Sequence, residues 1–242
     1  MPTGSALAST FRLRQPLPGR RPVVFRRSRY CARMSSDGPG GADEPRLASP
    51  WDSSYRYGSP AWDIGRPQRE WVQLADAGEF KSPVLDSGCG SGEHTLLLAE
   101  RGLRVLGVDI THLALDLARA KAAERGVTAE FAVGNVLELG RLGRSFASVL
   151  DSGCFHVFDD ADRARYVASL ASVVEPGGVV HLLCFSERTY GLGPRGVTKA
   201  ELRAAFAQGW RVESIQAALF EVRAESSARP ARAWLAKIVR TP

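Results

Sequence analysis

Long apolar runs are missing from this chain. No stretch of about 18 apolar residues occurs, so nothing in it reads as a membrane-spanning helix. Metal-ligand spacing is missing as well: the four cysteines (Cys31, Cys89, Cys154, Cys184) form no CxxC pair, and no histidine stands at a metal-binding interval from them. No metal site is therefore expected. Three of the thiols fall in or beside strand-like apolar runs, where a reduced core or pocket cysteine is the plain reading, so a reducing compartment, the cytoplasm, is expected. Acids are missing from residues 1–36, which hold eight arginines. The chain's net charge of +6 lies wholly in that stretch, because the rest carries 24 basic against 26 acidic residues, a net of −2. A basic nucleic-acid-binding face on the folded part is thereby excluded.

The 242 residues are 44% hydrophobic and 24% charged, which suits one globular α/β domain. Residues 1–47 read as a disordered arm rich in Arg, Ser, Pro and Gly. That arm fits an organellar transit peptide, which would move the expected location to a mitochondrion or plastid, or an over-long start with Met34 as the initiator. Residues 48–242 read as the domain. From residue 66 onward strands and helices alternate: strands at 83–86, 104–109, 129–134, 146–151 and 179–185, and helices at 91–101, 112–125, with Leu113, Leu117 and Ala118 on one face, and 160–174. The last of these carries Val167, Leu170, Ala171 and Val174 at helical spacing and is expected to end at "EPGG" (175–178). A glycine-rich loop (Gly191, Gly193, Gly196) leads to a helix started by a Thr198-x-x-Glu201 capping box, and two strands, 210–221 and 233–240, close the chain. Strands apolar on both faces that alternate with helices predict a doubly wound, mostly parallel sheet of seven strands.

In such a sheet a ligand sits beyond the carboxyl ends of the strands, where the strand order reverses. The candidates are then Asp86 to Gly92, Asp109, Asn135, and Asp151 to His156. In "VLDSGCGSG" (84–92), Gly88, Gly90 and Gly92 make a turn that a ligand can approach closely. Asp109, 17 residues after Gly92, can accept both hydroxyls of a ribose. A dinucleotide site wants a third glycine where Glu93 stands. Asp86 and Glu93 around the turn suit a cationic ligand better than a pyrophosphate, and the sulfonium and ammonium of S-adenosylmethionine meet that demand.

"VLDSGCGSGEHTLLLAERG", "VLGVDI" and "ALDLARAKA" together resemble the class I S-adenosylmethionine-dependent methyltransferases across about residues 50–240. The resemblance implies that Asp86, Gly88, Cys89, Gly90 and Gly92 hold the methionine part of S-adenosyl-L-methionine. Asp109 and Ile110 would hold the ribose and its surroundings, Asn135 and Val136 the adenine, and Asp151 the cofactor side of the fourth strand. Ser87 stands where the family has an apolar residue, and Asn135 where Asp is common. "AWDIGRPQ" (61–68) is similar to a PWDxGRP segment of halide and thiol methyltransferases, with related segments in hydroxyquinolone and thiopurine enzymes; here Ala61 replaces the proline.

That likeness places Trp62 over the cofactor, where an indole face attracts a sulfonium; the alternative is a core tryptophan anchoring an N-terminal flap. Trp51, Tyr55 and Tyr57 are candidates for an aromatic lid or for ordinary packing. Asp151-Ser152-Gly153-Cys154 lacks the proline pair of base-methylating enzymes, so the expected partner is a small-molecule nucleophile: a thiol, a halide, or an aromatic hydroxyl or N-hydroxyl. His156 is the best-placed general base, against a structural role. His94 and His181 read as structural, Glu187 and Arg195 as possible substrate contacts. A non-catalytic nucleotide-fold protein is the competing reading from another class.

Overall fold

The computed structural model describes residues 51–189, 194–223 and 230–242. The Arg-rich arm at 1–47, with Cys31 and Met34, and the loop glycines Gly191 and Gly193 lie outside the described residues. Seven strands form one sheet: β1 (Val84–Ser87), β2 (Val105–Asp109), β3 (Glu130–Val133), β4 (Phe146–Ser152), β5 (Val174–Phe185), β6 (Trp210–Phe220) and β7 (Ala231–Arg240). Their order is β3-β2-β1-β4-β5-β7-β6, with only β7 antiparallel to its neighbours. The expected doubly wound sheet is the one observed. Its order reverses between β1 and β4, and the Asp86 and Leu150 positions pair across that line.

Six helices accompany the strands: α1 (Asp52–Arg56), α2 (Arg69–Asp76), α3 (Glu93–Glu100), α4 (His112–Arg125), α5 (Asp160–Ala171) and α6 (Lys199–Ala205). None among the described residues is long and apolar enough to cross a membrane. β1 is buried along its whole length, as a central strand covered on both faces must be. One core contains Leu85, Phe146, Phe155, Tyr166, Leu170 and Trp210; a second contains Trp71, Val84, Leu98, Leu150, Phe185 and Phe220.

Two expectations need correction. The helix expected over 160–174 stops at Ala171, and Val174 already pairs with Phe146 as the start of β5. "EPGG" is therefore no helix end; it is absorbed in β5, where the register against β4 shifts between Phe146 and Ser148. In α4 the buried face is Ala114, Leu115 and Ala118, while Leu117, grouped with the inner face from the sequence, is 45% exposed. Small side chains face inward because α4 packs directly over the glycine turn: a Cβ on Gly92 would lie 2.7 Å from the Ala118 Cβ. The capping box is present, with Thr198 and Glu201 bonding each other's main chain.

Candidate active site

The ends of β1, β2 and β4 bring three carboxylates together. Asp86, on β1, is fully buried; its Oδ2 accepts the Thr95 hydroxyl at 2.6 Å, and its Oδ1 has no partner among the described residues. Burial pushes its pKa up to about 7, against the Thr95 bond and with help from Asp109 and Asp151. Asp109 ends β2, with Oδ2 accepting the Gly90 amide at 2.8 Å and Oδ1 the Thr111 amide at 2.8 Å. A carboxylate has about four acceptor positions, so each oxygen keeps capacity for a ligand hydroxyl. Burial raises its pKa despite those amides. Asp151 is fully enclosed: Oδ1 accepts from Cys154 N at 2.8 Å, and Oδ2 from Phe155 N at 3.1 Å and the Tyr166 hydroxyl at 3.0 Å. Burial pushes it to about 7 as well. Asp151 thus holds the turn after β4 in shape, and its oxygens are occupied within the fold.

The negative charge at the strand ends comes from these three acids. Glu93, expected to contribute, turns away from the loop toward α4 and pairs with Lys121 at 2.8 Å and Arg125 at 3.0 Å. Burial raises its pKa, but the two cations prevail and hold it below the usual carboxylate range. The charge argument for a cationic ligand survives with Asp109 and Asp151 in place of Glu93.

The glycine turn is compact and largely self-satisfied. Gly88 and Cys89 donate to Val108 O, Gly90 to Asp109 and Gly92 to Cys89 O, so these four amides are engaged inside the fold. What the glycines give is space. At Gly90, φ is +53° and an added Cβ would lie 2.7 Å from the Tyr55 hydroxyl. Cys89 is buried and Cys154 half-buried. Burial, then nearby carboxylates, pushes both thiols well up, so both are protonated and poor nucleophiles. Ile110 is half-buried beside Asp109, and Val136 is buried in the core. Asn135 caps the 3₁₀ segment Val136–Leu142, its Oδ1 accepting the Leu137 amide at 3.0 Å, so the oxygen expected to meet adenine already serves the backbone.

The "AWDIGRPQ" segment forms a strap over the strand ends. Trp62 donates to the Tyr55 hydroxyl at 3.2 Å and stands edge-on to Trp51. Asp63 accepts the Ser91 hydroxyl at 2.7 Å, tying the strap to the glycine turn. Arg66 makes a two-pronged pair with Glu221 at 2.8 and 3.0 Å, and the Gln68 amide bonds both main-chain groups of Glu221. Gln68 N donates to His94 Nε2 at 3.2 Å, and Arg223 N to Ala61 O at 2.9 Å. The motif is thus a clamp between the glycine turn and the end of β6. The sequence showed the motif but not the clamp, because its partner lies some 150 residues away. Tyr57 projects into solvent at 87% exposure.

Aromatic rings line the ends of β4, β5 and β6. The His156 ring stacks on Phe185 with centroids 4.2 Å apart, and Phe220 meets Phe185 edge-on at 5.2 Å. His156 Nδ1 accepts the Phe185 amide at 2.8 Å, which places the neutral ring's proton on Nε2. Burial, then Arg163, pushes its pKa down to about 3. The geometry runs against the base role expected of it. His94 and His181 sit as structural histidines; burial pushes each to about 4. Glu187 accepts the Trp234 indole N–H at 3.0 Å, and Arg195 pairs with Glu201 and Asp160, so both expected substrate contacts are engaged within the fold.

Buried acids over a glycine turn, with an unpartnered Asp86 oxygen, fit the cationic methionine part of S-adenosylmethionine. Comparison with known proteins decides the family. Residues 84–178 match the methyltransferase domain family model. The chain is 33% identical over 183 residues to the 2-heptyl-1-hydroxyquinolin-4(1H)-one methyltransferase of Mycobacteroides abscessus, covering 71% of this chain and 81% of that protein. This chain is a class I S-adenosylmethionine-dependent methyltransferase. A structure solved for the conversion of a disulfide bond into a thioacetal group during echinomycin biosynthesis is 34% identical, with a TM-score of 0.72 over 79% of this chain and 91% of that one. The fold of magnesium protoporphyrin IX methyltransferase from Synechocystis, solved with bound S-adenosylhomocysteine, is shared at a TM-score of 0.57 over 70% of this chain and 78% of that one, with 22% identity. In this methyltransferase Asp86 and the glycine turn are the residues suited to the methionine part and Asp109 to the ribose. When bound, the cofactor supplies an electrophilic methyl group on sulfur.

Proposed function

We propose that this methyltransferase alkylates a flat aromatic small molecule on a hydroxyl or N-hydroxyl oxygen. The observation that carries this reading is the ring cluster of His156, Phe185 and Phe220 at the strand ends, just after the buried Asp151. The three rings are buried, so they form an apolar floor beneath the strand ends, which favours a planar, apolar acceptor lying against it. The hydroxyquinolone relative supports the same class.

The chain's own part in the reaction is alignment and exclusion of water by the strap, which contribute much of the acceleration available to an in-line displacement. His156 serves as part of this floor, with no free lone pair to take a proton. An N-hydroxyl or acidic phenol ionises in solution and needs no protein base. A thiol or thiolate is the second reading, favoured by the likeness to the structure from the disulfide-to-thioacetal conversion.

The test is methyl transfer from S-adenosylmethionine to 2-heptyl-1-hydroxyquinolin-4-one, an aromatic thiol and iodide, followed by mass spectrometry. A rate on the hydroxyquinolone or related phenols well above that on thiols bears the reading out. Turnover of thiols or iodide alone overturns it.

A further inference from the structure

The acids at the strand ends suit the cofactor's cationic groups and leave its carboxylate with a problem. Asp86, Asp109 and Asp151 all repel an anion there, and the amides of Gly88, Cys89, Gly90 and Gly92 are committed within the fold. Ser91 gives its hydroxyl proton to Asp63, and Lys121 is held by Ser91 and Glu93. Two side-chain hydroxyls near the turn are left over, that of Thr111, which is fully buried, and that of Tyr55. Tyr55, on α1 ahead of the strap, accepts the Trp62 indole N–H at 3.2 Å, and its own hydroxyl proton has no acceptor among the described residues. The hydroxyl lies against Gly90, in the space that any Cβ there would fill, and Asp109 and Asp63 are its nearest charges.

We propose that the Tyr55 hydroxyl donates a hydrogen bond to the carboxylate of the cofactor's methionine part. Helix α1, held by the strap through Trp62, thereby supplies a binding residue that the sheet lacks. The cofactor's other polar groups have matched partners already: acids for its ammonium, Asp109 for its ribose. A hydroxyl is the right chemistry for the remaining one, because it adds a donor without adding positive charge beside the sulfonium. Burial holds the phenol protonated, so it stays a donor throughout the physiological range. The trio Trp51, Tyr55 and Trp62 then acts as a unit: Trp62 fixes the hydroxyl's position and Trp51 packs edge-on against Trp62.

This inference rests on the methyltransferase assignment, and one experiment separates the two. Wild type and Tyr55→Phe are titrated calorimetrically with S-adenosylhomocysteine and with 5′-methylthioadenosine, which lacks the amino-acid part. The expected result is about 10-fold weaker binding of S-adenosylhomocysteine by the variant, the size of one hydrogen bond to a charged group, with unchanged binding of 5′-methylthioadenosine. Equal S-adenosylhomocysteine affinity in both proteins overturns the proposal. An equal loss for both ligands also overturns it, because that pattern marks a general disturbance of the strap or a ribose contact. Failure of the wild type to bind S-adenosylhomocysteine would overturn the cofactor assignment itself.

Discussion

The side-chain amide of Gln68 pairs with both main-chain groups of Glu221: Nε2 donates to its carbonyl at 2.9 Å, and Oε1 accepts its N–H at 2.8 Å. A side chain here takes the place of a neighbouring strand just beyond the end of β6. Gln68 is 1% exposed, so its removal leaves two main-chain groups without partners where water has poor access. Gln68→Ala should cost about 1–3 kcal/mol of stability. Arg66→Ala, which breaks a mostly exposed ion pair to the same residue, should cost under about 1 kcal/mol. Urea unfolding of the two variants checks the order. An Arg66 variant less stable than the Gln68 variant would mean that charge, not main-chain pairing, holds the strap.

Asp86 gives the cofactor site a pH dependence whose sign is fixed by burial. Its pKa is raised to about 7 in the fold, against about 3.9 in an unfolded chain. A raised acid favours the folded state while protonated, so its contribution is fully present below about pH 4 and is lost as pH rises through 7. Cofactor-free protein should therefore lose stability between pH 5 and pH 8 more steeply than Asp86→Asn does. Binding should show the opposite trend. An ammonium group prefers the ionised carboxylate, so S-adenosylhomocysteine affinity should rise over the same range in the wild type and stay nearly flat in Asp86→Asn. Unfolding curves and titrations at matched pH values check both slopes.

Asp109 fixes two amides, and we propose that it also holds the ribose. Its oxygens fix the Gly90 and Thr111 amides and retain acceptor capacity for a ribose. Asp109→Asn keeps the size and one acceptor oxygen but loses the charge and, because its NH2 cannot accept, one of the two amide bonds. Cofactor affinity should fall by about 1.5–3 kcal/mol, the range for hydrogen bonds to a charged group. Near-normal S-adenosylhomocysteine binding by calorimetry would remove Asp109 from the ribose site.

The strand ends were legible in the sequence because each couples a short buried apolar run to a turn signal: Val84–Ser87 into Gly88, Val105–Asp109 into Thr111. Those two features place Asp86, Asp109 and Asp151 at one edge of the sheet without any contact information. Side-chain direction was less legible. Glu93 follows the turn in sequence, yet the first turn of α3 aims it at Lys121 and Arg125 on α4. "EPGG" carries the residues of a chain reversal, but β5 runs through it because β4 offers Phe146 as a partner for Val174. The clamp at Glu221 depends on a pairing across the whole domain, which no local pattern encodes.

His156 is the sharpest case of chemistry decided by a neighbour. From the sequence it is an imidazole at the end of β4 and a natural base; in the fold its Nδ1 lone pair is taken by the Phe185 amide. His156→Phe preserves a ring against Phe185 and removes any acid–base function. The variant leaves a buried amide unpaired, so it should lose about 1–3 kcal/mol of stability. A missing general base lowers the rate by about 10²–10⁴-fold, whereas a floor residue replaced by another ring should change kcat by less than about 10-fold. The wild-type rate on an already ionised acceptor should show no inflection from an imidazole between pH 5.5 and 8.5, because a group at about pH 3 does not titrate there. Steady-state kinetics of both proteins across that range settle the matter. A fall of 100-fold or more in kcat with KM unchanged, and a wild-type inflection near pH 6.5 that the variant lacks, would restore His156 as the base.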